Sequence, residues 1–131
     1  MERTNPDGLH ATPGYHHVTV SSAARLAFLA GQCPLNEAGE LTGDGDLAGQ
    51  VGQVIRNILL ALSSVGAGPA DVVRTVIYVV SADRADLAEV WQILRSSDLA
   101  DALTSASTLL GVSQLGYPGQ LVEIDVTAEI M

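Results

Sequence analysis

Few side chains in this sequence could carry chemistry, and their types limit what that chemistry is. Glu123 stands in the run Leu121-Val122-Glu123-Ile124-Asp125, an acid between apolar neighbours. A carboxylate so placed on a strand is either desolvated and able to take a proton from water as a general base, or one half of an ion pair with an arginine. Trp91 keeps helical spacing with Leu87 and Leu94. It is either core packing or a ring on the wall of a cleft, where its face would suit a cationic or aromatic ligand. Tyr15 admits the same two readings. Ser107 and Thr108 are weak nucleophiles without a base, and His10, His16 and His17 lie early in the chain with no Asp at a recognisable spacing, so a Ser-His-Asp triad is not indicated. His16 and His17 are consecutive, and on a strand they point to opposite faces, which argues against a shared metal. Cys33, beside Pro34 and far from any cation in the sequence, reads as an unreactive thiol. The run Gly43-Asp44-Gly45-Asp46 is too acidic to cradle phosphate and lacks the further ligands of a calcium loop, so Asp46 reads as a helix N-cap. No metal or cofactor is expected.

The composition narrows the classes further. The 131 residues carry 15 acidic side chains against 6 basic ones, a net charge of −9, and all the basic residues are arginine. Nucleic-acid binding needs clustered cations that displace counterions, and anionic membranes ask for the same, so both partners are excluded. Without lysine there is neither Schiff-base catalysis on the protein nor a P-loop. A single cysteine forbids an internal disulfide and a cysteine-based zinc site. With 47% hydrophobic residues the chain is not disordered. Its length fits one domain spanning residues 1–131. No apolar run reaches the roughly 18 residues of a membrane span, and the polar first residues lack a signal core, so a soluble cytoplasmic protein is expected.

The elements that must position these residues follow from periodicity. Residues 2–14 read as an irregular leader. Residues 17–21 alternate and 25–30 run apolar, predicting two strands joined as a hairpin. The glycine-rich stretch 31–46 is a long loop, and such loops tend to be functional. Leu47, Val51, Val54, Ile55, Ile58, Leu59, Leu62 and Val65 form the stripe of an amphipathic helix that Gly66 stops. The β-branched run 72–80 predicts a strand buried on both faces. Asp83 can cap a second helix whose inner stripe is Leu87, Val90, Trp91 and Leu94. Strands around 106–112 and 121–130 flank a turn at Tyr117-Pro118-Gly119. The order ββ-α-β-α-ββ gives an α+β fold, a mixed sheet of five or six strands with two helices on one face. Nothing is left to cover the other face, which points to a second subunit.

Four segments, in order, resemble the Rid family of reactive intermediate deaminases, also called YjgF or L-PSP endoribonuclease-like proteins. Ala30-Gly31-Gln32-Cys33-Pro34 followed by Gly39-Glu40 is similar to the family's SGQ-P-…-G loop. Gln50, Gln53, Asn57 and Ile58 match the spacing of its first helix. Val65-Gly66-Ala67 with Asp71-Val72-Val73 resembles its AGA…DVVK junction, and Leu121 to Asp125 resembles its closing VEIE strand. The resemblance implies a chorismate-mutase-like fold and a homotrimer with small-molecule clefts between subunits. It also implies hydrolysis of enamines and imines to a keto acid and ammonia. In the family an arginine grips the substrate carboxylate, a Glu on the last strand positions water, a loop amide holds the ligand, and Tyr and Asn line the cleft.

Carried over by position, Tyr15 is the cleft tyrosine, Gly31 the loop glycine and Glu123 the water-positioning acid. The family's PAR-S/T strand reads Ser105-Ala106-Ser107-Thr108 here, so Ser107 stands in the arginine's place. Trp91 stands for the Asn, and Ala30 for the loop Ser. The chain therefore resembles an arginine-lacking branch. Truncating one partner of a buried arginine–carboxylate pair costs about 2–5 kcal/mol, and Glu123 would repel a carboxylate. The departures imply an uncharged or cationic ligand rather than a typical 2-imino acid. On one reading Glu123 activates water against an imine, enamine or amide, Gly31 offers its amide, Tyr15 orients the ligand, and Trp91 and Ser107 line the cleft. On the other, the trimer binds a small metabolite or a partner protein without catalysis. Endoribonuclease activity rests on a family name alone, and the charge of −9 opposes it.

Overall fold

The computed structural model describes residues 1–131. Asp46 starts helix α1 (Leu47–Ser64) by accepting from the Gly49 amide at 3.0 Å. Gly66, at φ +73°, ends it. The Ala67 amide reaches back to the Leu62 carbonyl and the Gly66 amide to that of Ser63, the paired bonds of a Schellman stop. Its buried stripe is Gln50, Val51, Val54, Ile55, Ile58 and Leu62. Asp83 caps helix α2 (Arg84–Arg95) through the Ala85 amide at 2.9 Å, and Asp86 lies in the first turn, where a negative charge suits the dipole.

The main sheet has four strands in the order β3 (Arg25–Phe28), β6 (Val122–Ile130), β4 (Val72–Val80), β5 (Ala106–Val112). β4 and β5 run parallel, connected over the sheet by α2, and the other pairs are antiparallel. Both helices cover one face. There Val72, Ile77 and Val79 of β4 and Val122, Ile124, Val126 and Ala128 of β6 pack with the helix stripes into one apolar cluster. Each fully buried Val or Ile among them contributes about 1.5–3 kcal/mol. No helix is long and apolar enough to cross a membrane.

Three features differ from the sequence expectation. The two early strands are not a hairpin. β2 (Val18–Val20) pairs instead with β1 (Glu2–Thr4), inside the stretch read as an irregular leader, and β3 pairs with β6, setting Phe28 opposite Thr127. The fold therefore has a four-stranded sheet and a separate two-stranded ribbon, not one sheet of five or six strands. Three-residue strands carry almost no periodic signal, so their partners are decided by tertiary packing. β4, finally, is fully buried only on its helix side. Its outer residues Val76, Tyr78 and Val80 are half-buried. Across that outer face lie Leu26, Leu110 and Phe28, the last 76% exposed.

Candidate functional site

Glu123 is placed by two strands and a loop. After β3 the chain continues beside β6: Gln32 exchanges both backbone bonds with Ile124, at 2.8 and 3.2 Å. This brings Gly31 against the Glu123 side chain. A β-carbon at residue 31 would lie 2.2 Å from Glu123 Oε2, so the glycine lets the carboxylate keep this position. Glu123 Oε1 accepts from the Cys33 thiol at 3.2 Å and from Gln120 Nε2 at 3.1 Å. Oε2 receives no donor from the chain, and no arginine pairs with the carboxylate. The thiol is pushed up to about 11, first by burial and then by its bond to Glu123 and that carboxylate's charge, with Gln120 opposing. Cys33 is therefore a protonated donor at neutral pH.

α1 pins this loop from below. Asn57 Nδ2 donates to the carbonyls of Cys33 and Leu35 at 3.0 and 2.9 Å, and is itself oriented by Gln53. Gln50, fully buried, donates to the Gly43 and Gly119 carbonyls and accepts from the Leu121 amide at 2.7 Å. One side chain thus ties the long loop, the turn at 117–119 and the start of β6 together. A shallow depression of about 830 Å³ opens beside this corner, lined by Gly31, Cys33, Gln53, Arg56, Asn57 and Tyr117 among others.

The remaining predicted residues lie elsewhere. Between α2 and β5 runs a cleft of about 460 Å³ whose lining includes Tyr15, Arg84, Leu87, Trp91, Ser107 and Leu109. The rings of Tyr15 and Trp91 meet edge to face at 6.3 Å. The Tyr15 hydroxyl is held by His10 Nε2 at 3.1 Å, and Arg95 fastens the leader by donating to the Pro13 carbonyl. Trp91 is only 8% exposed, and its Nε1–H has no acceptor. Ser107 donates to the Ser105 carbonyl at 3.0 Å, and Thr108 accepts from Arg74 at 2.7 Å.

Tyr15, Trp91 and Ser107 thus share one cleft, while Gly31 and Glu123 share a different corner. Ser107 registers with Thr75 on the helix side of the sheet, and Glu123 registers with Tyr78 on the outer side. They stand two strands apart, about 10 Å, and three rows along, again about 10 Å. One chain does not bring them to a common small ligand. Sequence reasoning missed Gln120 and Arg84. Neither carried a local signal that set it apart.

The model of the family described as Endoribonuclease L-PSP matches residues 6–130. No curated protein matches the chain. Among solved structures, YyfB of Yersinia pestis, a protein of unknown function of the conserved Rid protein family, is 36% identical, with a TM-score of 0.88 and 98% of each chain covered. YyfA of the same organism and family is 26% identical, with a TM-score of 0.71, covering 92% of this chain and 90% of that one. Rv2704 of Mycobacterium tuberculosis, of the YjgF/YER057c/UK114 family, is 30% identical, with a TM-score of 0.61 and 98% of each chain covered. With this fold, and with a family match over nearly its whole length, the chain belongs to the Rid, or YjgF, family.

Proposed function

We propose that the protein is a cytoplasmic homotrimer in which the Glu123 corner of one subunit closes the Trp91 cleft of the next, and that this composite site hydrolyses an imine, enamine or related small molecule. The outer face with Phe28, Leu26 and Leu110 supplies apolar surface for such contacts. The observation that carries the chemistry is the asymmetry of the Glu123 carboxylate. Oε1 is occupied by Cys33 and Gln120, while Oε2 is free of donors and of any cation. A carboxylate oriented by one oxygen and open at the other can hold a water and take its proton as the water attacks a C=N carbon. The Gly31 amide, Tyr15 and Ser107 position the ligand. With Ser107 where the family has an arginine, the reacting end of the ligand carries no carboxylate.

The test is release of ammonia from a ketimine with no carboxylate at its reacting end, compared with 2-iminopropionate. Accelerated hydrolysis of the first with little effect on the second, in an assembly whose light-scattering mass is about three times 13.6 kDa, is the expected result. A monomer, or equal rates of both substrates with those of buffer, would leave the family's binding role without catalysis.

A further inference from the structure

We propose that the cleft between α2 and β5 takes an elongated organic acid, an aryl or branched-alkyl body whose remote carboxylate is held by Arg84. This deepens the proposed function and rests on its reading of the cleft as the ligand site.

Five of the six arginines are engaged: Arg3 with the Ala70 carbonyl, Arg25 with that of Met131, Arg56 with Gln53, Arg74 with Thr108 and Arg95 with Pro13. Arg84 makes no hydrogen bond and no ion pair, although Asp83 and Asp86 are its near neighbours in sequence. In a chain of net charge −9 the one free guanidinium lines the apolar cleft. Trp91 lines the same cleft as an 8% exposed wall with its Nε1–H closed off from solvent, so the ring offers a ligand apolar contact and Arg84 offers the charge.

The two features define the ligand's length. Arg84 and Trp91 are seven positions apart on α2, about 10 Å along its axis. Leu87 lies over Gly111, near the far end of β5, which puts Arg84 at the end of the cleft away from Ser107. A ring between Leu87, Leu109 and Tyr15, a polar reacting end toward Trp91 and Ser107, and an acid at Arg84 fill these places together. One cation matches a monoanion better than a phosphate of nearly two charges. The uncharged character expected from Ser107 thus applies to the reacting end. A three-carbon imino acid is too short to reach both ends.

Trp91 is the only tryptophan, so its emission reports on the cleft directly. The probes are 3-phenylpropionate and its amide. The acid should shift the emission saturably, with an affinity that falls as salt is raised, while the amide responds weakly and without salt dependence. Arg84→Gln should weaken the acid at least about tenfold and leave the amide unchanged. Arg84→Lys, which keeps the charge, should recover part of the loss. Equal binding of acid and amide, no saturable shift with the acid, or an unchanged acid affinity in Arg84→Gln would each overturn the proposal. Glu123→Gln separates it from the catalytic reading. If that variant retains turnover, catalysis by Glu123 fails while the Arg84 result stands; if it loses turnover and still binds the acid, both stand.

Discussion

Around Glu123 the hydrogen-bond partners are committed: Cys33 and Gln120 fill one carboxylate oxygen, Asn57 holds the loop carbonyls, and Gln50 joins three segments. Around Trp91 the reverse holds. The walls are apolar, the indole N–H lacks an acceptor, and Arg84 lacks an anion. The first region is finished within one chain and presents a single free oxygen. The second is unfinished and presents unmet demands. A carboxylate that moves a proton must be held still, and a cleft that recognises a ligand must leave polar groups for it, so the contrast matches a division between reaction and recognition.

The contrast is broken most severely by Glu123→Gln. Turnover should fall by about 10²–10⁴-fold, the range of a lost general base, while the assembly stays intact. The melting temperature should barely move, because no arginine is left unpaired. A large drop would mean that Glu123 serves stability. Gly31→Ala should come next. Its methyl would meet Oε2 at 2.2 Å and displace the carboxylate, and a shift of that order costs about 100-fold in rate. Steady-state kinetics should show the loss mainly in kcat.

Gln50→Ala tests the scaffold beneath. It strips partners from the Leu121 amide and two carbonyls in a buried place, which should cost about 3 kcal/mol and lower the melting temperature by about 10 °C. A change of a degree or two would show that water replaces the lost bonds. The smallest effect concerns Cys33. Its thiol should titrate near 11, above its ordinary 9.0, when followed by thiolate absorbance. The folded state therefore keeps the proton that the unfolded chain releases first. The resulting stability is complete below pH 9 and is lost as pH rises toward about 11. Glu123→Gln should bring the thiol down. An unchanged titration would leave burial as the only cause.

The helices and the central strands were legible because each is long and periodic. The 3.6-residue stripe of α1, its Asp46 and Gly66 ends, and the β-branched run of β4 all point the same way. The ribbon was not, because Glu2–Thr4 and Val18–Val20 hold three residues each and choose partners by packing. The candidate residues were legible by type and by family position, but not their distribution. The Cys33–Glu123 contact spans 90 residues, and the separation of Glu123 from Ser107 by a sheet face is a property of strand order. Arg84 was hidden because which arginine is left unpaired, and that it lies beside β5, are decided by packing rather than by local sequence.

Mixing two inactive variants tests most directly whether the two regions form one site across a subunit boundary. Glu123→Gln keeps the cleft and spoils the corner, whereas Ser107→Trp fills the cleft and keeps the corner. Each alone should be inactive toward the ketimine with no carboxylate at its reacting end. Co-refolded in equal amounts, they should recover about one quarter of wild-type turnover, since about one site in four then pairs an intact cleft with an intact corner from another chain. Activity no greater than that of the separate variants would contradict a shared site.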